Sequence, residues 1–153
     1  MVALTLCAAV GSGIVAGIWF AFSNFVMAAL ARLPAEAGSA AMRAINETVL
    51  NPGFFVLFLG TGAASLALLV LAVARWGQPG SGLVACGSLL YLAGSIGVTR
   101  LRNVPLNEAL AAAEPGSAEA AECWRRFLED WTFWNHVRGV GTAAAALAFS
   151  LAL

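Results

Sequence analysis

Four stretches of the chain are apolar almost without interruption, at about residues 3–30, 54–74, 83–99 and 135–153. A helix rises 1.5 Å per residue, so about 20 apolar residues cross the hydrocarbon core of a bilayer. Each stretch approaches that length, and the pattern predicts four membrane-spanning helices. Between the first two the period changes. Met42, Ile45, Asn46 and Val49 recur on one helical face, which predicts a short amphipathic helix over about Ser39–Leu50. Arg43 and Glu47 form an i,i+4 pair expected to face water.

Punctuation residues divide the chain at matching places. Arg32-Leu33-Pro34 closes the first helix, and Asn51-Pro52 opens the second, with Asn as cap and Pro in the first turn. The glycine-rich Arg75–Gly82 predicts a tight hairpin between the second and third spans. Pro105 biases Val104 toward an extended conformation, so a break is expected there, followed by a second short helix. Ser117 is a cap for a last helix that runs on into the fourth span. The fold class expected is therefore all-α: a single domain, residues 1–153, forming a four-helix transmembrane bundle with one or two short amphipathic helices on the face of the long connections. The first apolar run lacks a basic start and is read as a retained helix, not a cleaved signal.

Composition agrees with the pattern. The 153 residues are 61% hydrophobic and 10% charged, against about 25% charged in soluble domains. The net charge is zero, so no basic surface suggests nucleic acid. Seven of the eight arginines lie on the side of the long connections, which the positive-inside rule places in the cytoplasm, making a multi-pass protein of the cytoplasmic membrane if the source is bacterial. Cys7, Cys86 and Cys123 have no metal-binding spacing, and Cys7 and Cys86 read as packing residues. His136 is the sole histidine, which excludes a bis-histidyl haem within one chain, and no metal site is expected.

Polar residues inside this pattern are the candidates for chemistry. Trp124, Trp131, Asn135, Arg138 and Thr142 share one narrow face of the last helix. A cation entering a membrane helix is costly in lipid and is expected to face protein or a cavity. Asn24, Asn46, Asn51, Asn103, Asn107 and Trp134 map to the same end of the bundle. Gly13 and Gly17 form a G-x-x-x-G pair whose face, through Phe20, Asn24 and Met27, is expected to turn inward. Tyr91 lies deep in the third span, where its hydroxyl needs a partner. For each residue a structural role competes with a functional one: helix caps, interfacial aromatics, interhelical hydrogen bonds.

The segments Phe22–Leu30 (FSNFVMAAL), Met42–Asn46 (MRAIN), Asn51–Phe54 (NPGF), Thr99–Asn107 (TRLRNVPLN) and Trp131–Arg138 (WTFWNHVR) resemble the anthrone oxygenase-like family of small membrane proteins. Some of its members oxidise an anthrone to an anthraquinone with dioxygen, without metal or flavin. The resemblance implies a cofactor-independent oxygenase acting on a phenolic polycycle. Asn135, Arg138, Asn103 and Asn107 would supply donors to an oxyanion. Trp131, Trp134, Asn24, Asn46 and Tyr91 would line the substrate. The base is not evident: His136, Glu108 and Asp130 are the candidates. Two other roles stay open, a non-catalytic binder of a small hydrophobic molecule and a structural membrane subunit. Oligomeric state is not specified.

Overall fold

The computed structural model describes residues 1–153 and is all-helical. We number five helices: α1 Val2–Leu30, α2 Ala35–Thr48, α3 Pro52–Ala74, α4 Ser81–Ala112 and α5 Ala118–Leu151. The long helices form a closed ring, α1 against α3, α3 against α4, α4 against α5, and α5 along α1. The short α2 lies across one end, against α4 and α5. Three helices, α1, α3 and α4, are long and apolar enough to cross a membrane. The fourth expected span lies in the C-terminal half of α5, where Asn135, His136 and Arg138 lower the hydropathy. Length and composition therefore support three spans, and α5 differs from them in kind.

The caps are local and legible. Asn51 Oδ1 accepts from the Phe54 amide at 3.1 Å, and Ser117 Oγ accepts from the Ala120 amide at 3.0 Å. Gly77 and Gly80, at φ 94° and 80°, close the α3–α4 hairpin in the left-handed region that disfavours other residues. Deeper in the bundle, Gly94 and Gly141 let the α4 and α5 backbones touch: a Cβ on Gly141 would sit 3.2 Å from the Gly94 Cα.

Three expectations are corrected. The break at Pro105 does not occur, and Val104 is helical (φ −62°, ψ −48°). Two π-helical stretches, Leu90–Gly97 and Thr99–Asn103, precede the proline. Their wider turns relieve the clash a proline ring makes with the carbonyl four residues earlier, so α4 continues to Ala112. Second, the inward face of α1 is Ala8, Ser12, Val15, Trp19 and Met27; of the face expected to turn inward only Met27 does, whereas Gly13, Gly17, Phe20 and Asn24 face outward. An all-apolar helix carries no periodicity to choose its face, and small residues lie on both. Third, Arg43 does not pair with Glu47. Its Nη2 donates to the Ala113 carbonyl at 2.8 Å, tying α2 to the negative end of α4.

Two apolar clusters fill the ring. One, toward the α3–α4 hairpin, holds Val15, Trp19, Phe58, Leu68, Tyr91 and Phe149. The other, under α2, holds Met27, Met42, Leu110, Trp124, Phe127 and Trp131.

Candidate functional site

The polar stripe of α5 is buried throughout. Trp124, Trp131, Asn135, Arg138 and Thr142 are each no more than 3% exposed. Helical periodicity puts them on one face, and the packing of α1, α2 and α4 on that face removes them from solvent. Arg138 lies where the two apolar clusters meet. Its guanidinium carbon is 3.6 Å from the ring centre of Trp19 and 4.9 Å from that of Trp131. Trp19 is held edge-on by Phe54 and Phe58, and Trp131 stacks on Phe127 and leans on Phe22. Nε of Arg138 donates to Asn135 Oδ1 at 3.0 Å and Nη1 to Thr99 Oγ1 at 3.1 Å. No acidic side chain pairs with it, since the ion pairs of the molecule join Glu122 and Glu129 to Arg125 and Arg126. The buried charge is held instead by two aromatic faces and two neutral oxygens. Its Nη2 has no protein partner.

Asn135 extends this group to α1. Its Nδ2 donates to the Trp19 carbonyl and to Ser23 Oγ, both at 2.7 Å. The orientation of the amide follows from its neighbours, because Arg138 requires an oxygen and the Trp19 carbonyl requires an N–H. Ser23 Oγ in turn lies 2.7 Å from His136 Nδ1. A continuous line of polar contacts thus runs from buried Arg138 through Asn135 and Ser23 to His136 at the surface.

Buried polar atoms without a partner are Asn103 Oδ1, Asn107 Oδ1, Trp131 Nε1 and Thr132 Oγ1 on α4 and α5, and Ser12 Oγ and Arg43 Nε on α1 and α2. Such atoms are uncommon in native interiors, each costing roughly 1–3 kcal/mol. Asn103 is fixed through its other atom, Nδ2, which donates to the Trp131 carbonyl at 3.2 Å. The structure therefore gathers Asn135 and Arg138 directly, with Asn103 anchored to Trp131 and Asn107 one turn farther along α4.

Other candidates lie apart. Tyr91 is fully buried, and its hydroxyl donates to the Phe58 carbonyl at 2.9 Å, inside the hairpin-side cluster. Trp134 is half-buried, with Arg102 over its ring at 4.6 Å. Asn46 is half-buried on α2, and Asn24 is exposed on the outward face of α1, contrary to its expected inward direction. Glu108 and Asp130 are exposed. An open cleft of about 640 Å³ between α4 and α5 is lined by Leu106, Cys123, Phe127 and Asp130 among others, of which Phe127 stacks on Trp131. No group of three His, Cys, Asp or Glu side chains is arranged to hold a metal ion.

Sequence reasoning missed Trp19, Ser23 and Thr99. Trp19 and Ser23 are four apart and share a helical face, but on an apolar helix nothing marked that face as inward. Thr99 stands off the α-helical line of α4 and is aimed by the π turn that starts with it.

Against known proteins, the model of the anthrone oxygenase family matches residues 54–148, which include all but the first two residues of α3, the π turns of α4 and the Trp131–Arg138 stretch. No curated protein and no solved structure matches the chain. The family match covers more than half of the chain and encloses the buried arginine, and the chain belongs to the anthrone oxygenase family.

Proposed function

We propose that this protein is a multi-pass membrane enzyme that oxidises an anthrone or a related phenolic polycycle with dioxygen, without a cofactor. The observation that carries the proposal is Arg138, a buried cation with no carboxylate partner and one unshared amino group. Removing a proton from the activated methylene of such a substrate delocalises the electron pair onto the ring carbonyl oxygen. A fixed positive charge in a water-poor site stabilises that oxyanion as it forms. The unpaired oxygens of Asn103 and Asn107 suit phenolic hydroxyls, and the unpaired indole N–H of Trp131 suits a ring oxygen. The enolate then reduces dioxygen by electron transfer.

The membrane arrangement belongs to the same proposal. The C-terminal half of α5 is the fourth span, because its cation and amide face the bundle and avoid the cost of lipid contact. The long connections are on the cytoplasmic side.

The hydrogen bonding of Asn135 favours one other reading, a structural node that locks α1 to α5. Oxygen uptake with emodin anthrone separates the two. An oxygenase forms quinone above the spontaneous rate without added metal, and Arg138→Ala lowers that rate about 10²–10³-fold, as for loss of an oxyanion donor. Asn135→Ala, which frees the guanidinium, lowers it as well. Wild-type protein that gives no acceleration over autoxidation overturns the oxygenase reading and leaves the node.

A further inference from the structure

We propose that Ser23 and His136 form the proton-accepting end of the site, an assignment that rests on the oxygenase reading and supplies the base that reading lacks. Asn135 Nδ2 donates to Ser23 Oγ, so the serine's own proton is free to point at His136 Nδ1, 2.7 Å away. A neutral imidazole there accepts at Nδ1 and carries its proton on Nε2. The ring is exposed, Nε2 has no protein partner, and no acid lies within ion-pair distance of it. Arg138 is the only charged group in the network, and it acts on the serine through Asn135. One carboxamide therefore separates the oxyanion-stabilising cation from a hydroxyl backed by a base, as two ends of a single substrate require.

The access side fits an apolar substrate. Ser23 is half-buried on the α1–α5 seam. One turn away on the same helices, Phe20, Phe133 and Val140 are 64%, 59% and 71% exposed. A ring arriving from the bilayer meets these residues first. In the first step the methylene C–H bond breaks, its proton passes to Ser23 Oγ, and the serine proton passes to His136 Nδ1. The electron pair remains as the enolate. After dioxygen adds at the same carbon, the imidazolium returns its proton to the peroxide oxygen through Ser23. Loss of the second methylene proton with cleavage of the O–O bond releases water and leaves the quinone. Dioxygen is the sole oxidant, and the base ends as it began.

Exchange of the methylene protons for deuterium under nitrogen reads the first step without oxygen. In D2O the wild-type protein exchanges an anthrone faster than buffer does. Ser23→Ala and His136→Gln each slow exchange about 100-fold, the lower range for loss of a general base. Ser23→Thr retains exchange, and added imidazole restores part of it to His136→Ala, which a merely structural role does not produce. The single imidazole also gives one set of ¹⁵N signals, free of overlap. In the neutral ring Nδ1 is unprotonated and hydrogen-bonded, and Ser23→Ala shifts that signal. Exchange and oxidation at wild-type rates in both variants overturn the base assignment while the oxygenase stands. Wild-type protein that neither exchanges nor oxidises overturns both. A neutral ring protonated at Nδ1 overturns the serine–histidine couple even where the variants fail to fold.

Discussion

Arg138 is stabilised by geometry that a lysine does not reproduce. Its planar guanidinium lies on the Trp19 ring while two separate nitrogens reach Asn135 and Thr99. The neighbouring Trp131 differs, because its indole N–H is buried with no acceptor. Removing that N–H in Trp131→Phe is expected to leave the thermal midpoint in detergent unchanged or slightly raised, since an unsatisfied donor disappears. If the indole meets a substrate oxygen, the same variant weakens binding by about fivefold, the worth of one hydrogen bond of roughly 1 kcal/mol. A titration of anthrone fluorescence beside a melting curve tests both halves. A lower midpoint with unchanged affinity would mean that the N–H serves the fold.

At the scale of elements, α5 is the member on which the site depends. Its N-terminal half is polar, and outside the core it is supported by its cap and by exposed ion pairs. Ser117→Ala is expected to cost about 1 kcal/mol, read as faster amide exchange over the first turns of α5. Acid acts on the same region. Hydrogen bonds from Arg125, then Arg126, hold the Glu122 carboxyl down at about 2, from an ordinary 4.5. A depressed carboxylate stabilises the fold above its unfolded value, and that support is lost as pH falls through the folded one. Protection of the first turns of α5 should therefore decline between about pH 4.5 and 2. The effect is small, because these pairs lie at the surface, where solvent screens them. Protection that is flat across this window would remove these pairs as a support of the helix. In α4 the decisive feature is the π segment, which carries the helix past Pro105 and aims Thr99 at Arg138.

For the whole molecule, the proposed fourth span has a direct topological consequence. Four crossings put both termini on one side of the membrane, whereas three put them on opposite sides. Epitope tags at Met1 and Leu153 in inside-out and right-side-out vesicles are expected to be protected together. Opposite protection would make α5 a surface helix, with Arg138 buried against the bundle but outside the lipid core. The same packing explains why the site lies between the two ends of the bundle. The two apolar clusters are each closed by their own aromatics, and the polar line from Arg138 to His136 occupies the junction between them.

The sequence by itself determined the helical class, the apolar runs, the caps at Asn51 and Ser117, and the burial of the Trp131–Asn135–Arg138 face. All of these depend on local signals: hydropathy, 3.6-residue periodicity and backbone capping. It also carried the family, through short polar segments at set places along the chain. The inward face of α1, the continuity of α4 and the partners of Arg138 were decided only by tertiary structure. Asn24 faces outward and Ser23 takes its place because an all-apolar helix is oriented by neighbours touching it, not by its own pattern. Pro105 stays helical because the π turn before it accommodates the ring. Arg138 stands without an acid because Trp19 and Thr99, more than a hundred and nearly forty residues away in sequence, are brought against it by the closure of the ring.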